Sequence, residues 1–416
     1  MPLPRNLPRE QGSLLIAAVS GRALAQGARR AGFKPLVADF FADADTEEAA
    51  HACRKLPGSI RRGFRWETLY PALRALADNA PSPILGVVYG SGLEDRTELL
   101  RLIAKHWPLL GTDAATVARL KAPEDFFATL DRLGIAHPPT SSRPPSRGGA
   151  WLAKKRGGAG GSHIKPGRLT KAATNLYYQQ RVDGRALSAL FVANGSGARV
   201  LGFSEQWTAP RRSSPWRYGG AVCPATISPS VARRVTEAVM KVARAFAIRG
   251  LASADFLVRD EEPFLLEINP RPGASFDIFD RGAKPLLSLH LEAIREGTLP
   301  SRAFKFRDAM ASAIVYAERG GKAPSGAAWP AWVADRPKPS EWIDKNRPIC
   351  TVLARARTAA GAERLAEARR CQILKLLQPI TARNAGERDG TESRTQGRGV
   401  AERERRGGAA RQGADR

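Results

Sequence analysis

The sequence predicts an α/β lobe followed by α+β lobes, and three observations carry that prediction. Strand-length apolar runs at 13–19, 36–39 and 84–89 are separated by helix-length segments, the pattern of a parallel sheet. A Ser/Arg/Pro/Gly-rich stretch from His137 to Gly149 reads as an exposed connection. Beyond it, strand patterns crowd around one long helical pattern, which is the α+β signature. At 416 residues the chain exceeds one compact core, so several packed lobes are expected.

Taken in order, residues 1–12 are polar and proline-bearing and are expected to be loose. Ser13–Val19 reads as a buried strand running into Ser20-Gly21 and a helix, a Rossmann-like opening. Leu36–Asp39 and Ile84–Tyr89 read as the next strands, the latter delivering the loop Gly90–Glu94. Open parallel sheets place ligand contacts at such C-terminal strand ends. One amphipathic helix is expected from Lys121 through Gly134, with Lys121 at its start. Strands are expected at Trp151–Lys154, Tyr177–Val182, Leu187–Ala193, Val200–Ser204, Ser253–Val258 and Pro263–Asn269, with a helix at Pro229–Ala247. Further strands near Ser312–Tyr316 and Cys350–Leu353 and a helix from Ala360 to Leu377 complete the ordered part. The expected division is 13–115, 116–300, an accessory region 301–380, and a disordered Arg/Gly/Glu-rich tail 381–416.

Composition excludes several classes of function. No apolar run approaches the ~18 residues needed to span a bilayer, so no membrane role is expected. Arg5 and Arg9 precede an apolar stretch, and Ala23–Ala25 resembles a cleavage site. Arg22 interrupts that stretch, so a secretory signal is not the reading. Cys53, Cys223, Cys350 and Cys371 form no C-x-x-C pair, which suits free thiols in a reducing cytoplasm. The five histidines show no zinc spacing. The net charge of +26 would suit nucleic acid if it were clustered, but residues 381–416 hold nine Arg against six acidic groups, so most of the excess is dispersed. Nucleic acid is therefore not the expected partner, and oligomeric state is not legible.

The segment Ser253–Arg271 is the most informative. It reads as a hairpin turning at Asp260–Glu262, with Arg259 opposite Pro263, Leu257 opposite Leu265 and Asp255 opposite Glu267. Asp255, Glu267 and Asn269 then share one face, while Phe256, Val258, Phe264, Leu266 and Ile268 face a core. Two carboxylates and an amide oxygen suit a magnesium ion that also binds triphosphate. Arg271 could hold a phosphoryl group or a carboxylate by its planar fork. A second element, Trp151–Lys155, runs into Gly157, Gly158, Gly160 and Gly161, a loop able to approach phosphates and close as a lid. It lacks the Gly-Lys-Ser/Thr of a P-loop. Alternation lets only one of Lys154 and Lys155 face the cleft, and Lys154 is chosen.

Together these elements resemble the ATP-grasp family over about residues 13–300. The resemblance implies an ATP-grasp fold, with an N-terminal Rossmann-like domain and two α+β lobes clasping ATP. It implies ATP and Mg2+ as cofactors, with Mn2+ as a substitute ion. Lys121, Lys154, Gly158, Gly160 and Gly161 would face the phosphates, and Gln179, Gln180 and Val182 the adenine. Asp255, Glu267 and Asn269 would hold the metal, and Arg271 and Lys154 would be catalytic. A narrower likeness lies in Val88–Glu94, Arg217–Pro224 and Asn269–Phe276. These resemble carboxylate–amine ligases that include the tyramine–glutamate ligase of methanofuran biosynthesis, tied to one-carbon metabolism. Glu94 would then hold an ammonium, and Arg217 or Arg271 a carboxylate. The implied partners are a small carboxylic acid and an amine, joined through an acyl phosphate. A biotin-dependent carboxylase is the rival enzyme, without an Ala-Met-Lys-Met-like carrier segment here. A basic nucleic-acid-binding protein is the rival outside enzymes.

Overall fold

The computed structural model describes residues 12–60, 62–144, 150–158, 160–167, 173–325 and 329–383. The expected loose N-terminus, apart from Gly12, and the tail beyond 383 lie outside the described residues. The N-terminal lobe is β1 (Ser13–Ala17), α1 (Arg22–Arg30), β2 (Lys34–Asp39), α2 (Ala44–Ala49), β3 (Ala52–Lys55), α3 (Trp66–Asp78), β4 (Ile84–Tyr89) and α4 (Thr97–His106). Its four strands are parallel in the order β3-β2-β1-β4. β1, β2 and β4 are nearly all buried, which is why they read as continuous apolar runs. β3, at the sheet edge and partly exposed, has no such run and escapes the sequence reading.

The single helix expected from Lys121 is two helices, α5 (Ala114–Lys121) and α6 (Pro123–Leu133). Pro123 at the first turn of α6 drives Ala122 out of the helical region, to φ −88° and ψ 108°. Lys121 therefore ends a helix instead of starting one. A small sheet follows, built of β5 (Thr140–Ser141), β6 (Trp151–Lys155), β7 (Lys165–Pro166) and β8 (Leu176–Gln180), in the order β5-β8-β6-β7.

The central sheet begins with β9 (Arg185–Asn194), β10 (Ala198–Thr208) and β11 (Tyr218–Cys223). β11 is not legible in the sequence because Gly219 and Gly220 interrupt its apolar pattern. A Cβ on Gly220 would lie 2.3 Å from both the Ser312 carbonyl and the Trp207 ring, so the strand fits only without side chains there. Next come α7 (Pro229–Ala245), capped by Ser228, and the hairpin β12 (Arg249–Arg259) and β13 (Glu262–Asn269). The chain continues through α8 (Phe276–Phe279), α9 (Leu286–Arg295), β14 (Ala309–Tyr316), β15 (Gly321–Lys322), β16 (Val333–Ala334), β17 (Trp342–Ile343), β18 (Pro348–Ala356) and α10 (Ala359–Arg383). The sheet order is β13-β12-β9-β10-β11-β14-β18-β16. Strands from beyond residue 301 thus extend the same sheet that carries the hairpin.

Alternation along β9 explains the layering. Leu187, Ala189, Phe191 and Ala193 share a cluster with Val231, Val235, Val239 and Val242 of α7, whereas Leu190 and Val192 belong to another that includes α9 and runs on to β1 and β2 of the N-terminal lobe. The N-terminal lobe and the central sheet therefore share a core. Among the described residues, no helix is long and apolar enough to cross a membrane.

Candidate active site

The hairpin reaches its expected polar face by an unexpected register. Its turn is the two residues Asp260 and Glu261, both at positive φ (49° and 64°), so Arg259 pairs with Glu262 and Leu257 with Phe264. A bulge between Asp255 and Phe256 absorbs Leu266 and restores Asp255 opposite Glu267. The core face changes accordingly. Phe256, Val258, Leu265 and Ile268 are buried, whereas Leu266 lines the cavity and Phe264 is half-buried beneath Arg259. Asp255, Glu267 and Asn269 nonetheless converge on one cavity of about 1880 Å³. That is about twice the upper end of a typical single-ligand pocket, so there is room for more than one molecule.

Each polar group at this inner end is fixed by another. Asp255 accepts from Ser188 Oγ (2.6 Å), Gln206 Nε2 (3.4 Å) and Asn269 Nδ2 (3.0 Å). Asn269 Oδ1 accepts from Lys121 Nζ (3.2 Å) and Arg271 Nη2 (3.3 Å), and Lys121 also reaches Glu267 Oε2 at 3.3 Å. The break at Pro123 is what turns Lys121 into this group. Burial and the neighbouring Glu267 push the Asp255 carboxyl up to about 6. For Glu267 burial acts upward too, but Lys121 and Lys154 outweigh it and hold the carboxyl low. Glu267 Oε1 makes no hydrogen bond among the described residues. No three His, Cys, Asp or Glu cluster there as a metal site, so a cation at the hairpin would take two carboxylates and an amide.

Lys154 is the inward lysine of β6. It is buried, donates to Gln179 Oε1 at 2.7 Å, and burial lowers its pKa. Lys155 turns to Asp95 Oδ2 at the rim (2.8 Å). Among the described residues Gln179 Nε2 is a buried donor without a partner, beside Gln180 and Val182 along the cavity. The glycine loop lies against the start of β11. Tyr218 N donates to Gly160 O (3.1 Å), and a Cβ on Gly161 would lie 1.8 Å from the Trp216 carbonyl oxygen. Gly158 abuts the His163 ring.

Glu94 and Arg271, expected to meet separate substrate groups, instead meet each other. Arg271 Nε donates to Glu94 Oε1 at 2.5 Å, with the two side chains 8% and 2% exposed. Glu94 Oε2 accepts from Gly92 N. Burial opposes ionisation of Glu94, but Arg271 and Lys121 prevail and hold its pKa below the usual value. Tyr89, unmarked in sequence, places its hydroxyl between the Thr112 and Pro270 carbonyls (2.7 and 3.1 Å), which steadies the start of the Arg271 loop. Arg217 lies in another wall. It stacks on Tyr316 with its guanidinium carbon 3.6 Å from the ring centroid and donates from Nε to Ala209 O (2.9 Å) and from Nη1 to Asn346 O (3.4 Å). Nη2 has no partner among the described residues, and burial lowers the Arg217 pKa.

Comparison with known proteins meets this geometry. Residues 125–275 match the family model of the ATP-grasp domain. The fold is ATP-grasp. A biotin carboxylase from Campylobacter jejuni superposes with a TM-score of 0.68 at 16% identity, covering 89% of this chain and 96% of that one. An L-amino acid ligase from Bacillus licheniformis gives a TM-score of 0.65 at 14% identity over 87% and 97%. In sequence, a D-alanine–D-alanine ligase from Ralstonia pickettii (strain 12J) is 28% identical over 180 residues, which is 41% of this chain and 52% of that protein. The chain thus spans about half the length of the curated relatives it matches. The ATP-grasp match holds all of the hairpin and the glycine loop and ends at Ser275, short of Asp277.

Proposed function

We propose that this chain is an ATP- and magnesium-dependent carboxylate–amine ligase that forms an amide through an acyl phosphate. The observation that carries the reading is the convergence of Asp255, Glu267 and Asn269 with Lys121, Lys154 and Arg271 at one end of a cavity with room for several ligands. The residues fit a magnesium ion and a nucleotide. Among the described residues Glu267 keeps an unshared oxygen for a hard cation, and Gln179 an unshared buried donor for a nucleotide. Asp255, Glu267 and Asn269 would hold magnesium, which supplies charge neutralisation at phosphate oxygens.

The chain's own residues do the rest. Lys121 and Lys154 neutralise phosphates and hold them in line with the acid, since phosphoryl transfer depends on positioning and charge more than on covalent help. Arg271, aimed by Glu94, steadies the reacting carboxylate and then the oxyanion formed when the amine attacks. Closure of the loop around Gly160 and Gly161 against Trp216 and Tyr218 excludes the water that would hydrolyse an acyl phosphate. Arg217, whose Nη2 has no partner and which meets no carboxylate among the described residues, holds a second carboxylate of the acid. A narrower reading, from the Val88–Glu94 and Arg217–Pro224 motifs, is transfer of glutamate to a tyrosine- or tyramine-type amine in a methanofuran-like pathway.

The test is ADP release from MgATP with L-glutamate and a panel of amines, with mass spectrometry of the products. An amide product establishes the ligase and names its substrates. MgATP binding with no product across a broad panel of acids and amines would defeat the ligase reading.

A further inference from the structure

The outer end of the cavity, away from the hairpin, carries a surplus of negative charge in a chain whose net charge is +26. Asp39, Asp43, Asp45, Asp277 and Asp335 gather about Arg22 and Arg336. Arg22, 3% exposed, spreads its fork over Asp277 (2.6 and 2.7 Å) and Asp335 (3.0 and 3.2 Å). Asp39 is occupied by the backbone N–H groups of Gly21, Phe41 and Ala42, and Asp45 by those of Asp335 and Arg336.

Two carboxylates among the described residues are buried to more than nine-tenths and line the cavity, Glu94 and Asp43. Glu94, expected to receive an ammonium, spends both oxygens on Arg271 and Gly92. Asp43 does not. Its Oδ1 caps α2 by accepting from the Thr46 N–H and hydroxyl, while Oδ2 has no partner among the described residues. Burial, with Asp335 and Asp45 beside it, pushes the Asp43 carboxyl up to about 8, so the group keeps its proton near neutral pH until a cation stands opposite it and favours the charged form.

The same wall is apolar. Four large hydrophobic side chains are exposed among the described residues, and two of them, Ile60 (42%) and Trp342 (48%), line this cavity together with Phe40 and Phe41. The Lys55–Glu341 ion pair ties the segment before Ile60 to the residue before Trp342. Lys55 also stands opposite Asp39 in the ladder between β2 and β3, four residues from Asp43. A buried carboxyl residue with an uncommitted oxygen, and an apolar lining, thus share one corner, which suits a ligand with a cationic head and a greasy body.

We infer that Asp43 holds the ammonium of the second substrate, a primary amine whose apolar, ring-sized tail lies against Phe40, Phe41, Ile60 and Trp342. The word substrate rests on the ligase reading, whereas the amine site itself does not.

Titration calorimetry on the full chain separates the two. MgATP is titrated first, then 2-phenylethylamine and its neutral counterpart 2-phenylethanol. The expected result is binding of the amine about tenfold or more tighter than the alcohol, the share of one charged hydrogen bond. Asp43→Asn keeps the cap on α2, because asparagine accepts from Thr46 equally well, and is expected to erase that preference with MgATP affinity unchanged. Exposed Ile60→Ser is expected to weaken 2-phenylethylamine but not ethylamine. No amine binding by the unaltered chain, equal binding of amine and alcohol, or a preference that survives in folded Asp43→Asn overturns the inference. Failure of MgATP to bind while Asp43 still selects the amine would sink the ligase reading and leave the site standing.

Discussion

At its inner end the cavity draws Asp255, Glu267, Asn269 and Arg271 from one continuous stretch of chain, and these side chains hydrogen-bond largely to one another and to Lys121. At its outer end Arg22 meets Asp277 and Asp335, which stand 255 and 313 positions away, and Arg217 stacks on Tyr316. The first is a local motif placed on a rigid hairpin. The second exists only because three separate parts of the chain dock around Arg22. Such a division suits a site whose inner end performs one shared chemistry while its outer end sets which molecules enter. If it is right, substitutions at the inner end reduce turnover, and those at the outer end change affinity.

The largest effect is expected from Glu267→Gln. The amide keeps the acceptor for Lys121 but removes the charge that a cation needs, so kcat should fall by roughly 10²–10³-fold. The thermal midpoint should hardly move. Near-normal turnover in that folded variant would dissolve the distinction between the two ends. Glu94→Gln comes next, and it acts on stability as well as rate. It leaves the Arg271 charge buried and unpaired, at a cost of about 3–5 kcal/mol. Because the folded pKa of Glu94 is depressed, its contribution is present above the usual carboxylate pKa and is lost as pH falls through the folded value. Denaturant titrations at pH 7 and in acid should therefore show the variant losing less than the parent on acidification. An equal loss would mean the pair does not stabilise the fold.

The inner end was largely legible in sequence, though partly through compensating errors. Simple alternation makes the hairpin turn one residue too long and leaves out the bulge, and the two differences cancel at Asp255 and Glu267. They do not cancel at Leu265 and Leu266, whose faces were exchanged. Period-two alternation is reliable until an extra residue enters a strand, and nothing in Phe264–Glu267 announces one. The sequence pattern puts Lys121 at the start of a helix that it in fact ends, and Pro123 is the signal that marks the break. β11 was missed because its glycines are demanded by Trp207 and Ser312, contacts that sequence does not contain. The cluster around Arg22 and Asp43 was invisible for the same reason on a larger scale. The three buried strands of the Rossmann-like sheet, β1, β2 and β4, give no such difficulty, since burial on both faces writes itself directly into composition, as it does not for the edge strand β3.

Gly161→Ala tests the loop that lies between the two ends. Its φ of +70° and the Trp216 oxygen 1.8 Å from the added carbon forbid the present docking, and displacement by about 1 Å costs up to ~10²-fold in rate. A fall in kcat with an unchanged thermal midpoint would assign the loop to catalysis rather than to folding. The smallest effect is expected from Arg217→Lys, which sharpens the contrast because it preserves charge. Lysine cannot lie flat on Tyr316 at 3.6 Å while reaching Ala209 and Asn346, so a carboxylate would lose a fixed fork and keep only a mobile point charge. KM for the acid should rise about tenfold with kcat little changed, the pattern of lost uniform binding. A fall in kcat as deep as that of Glu267→Gln would instead put Arg217 at the reacting atoms, and the outer end would no longer be a place where only affinity is decided.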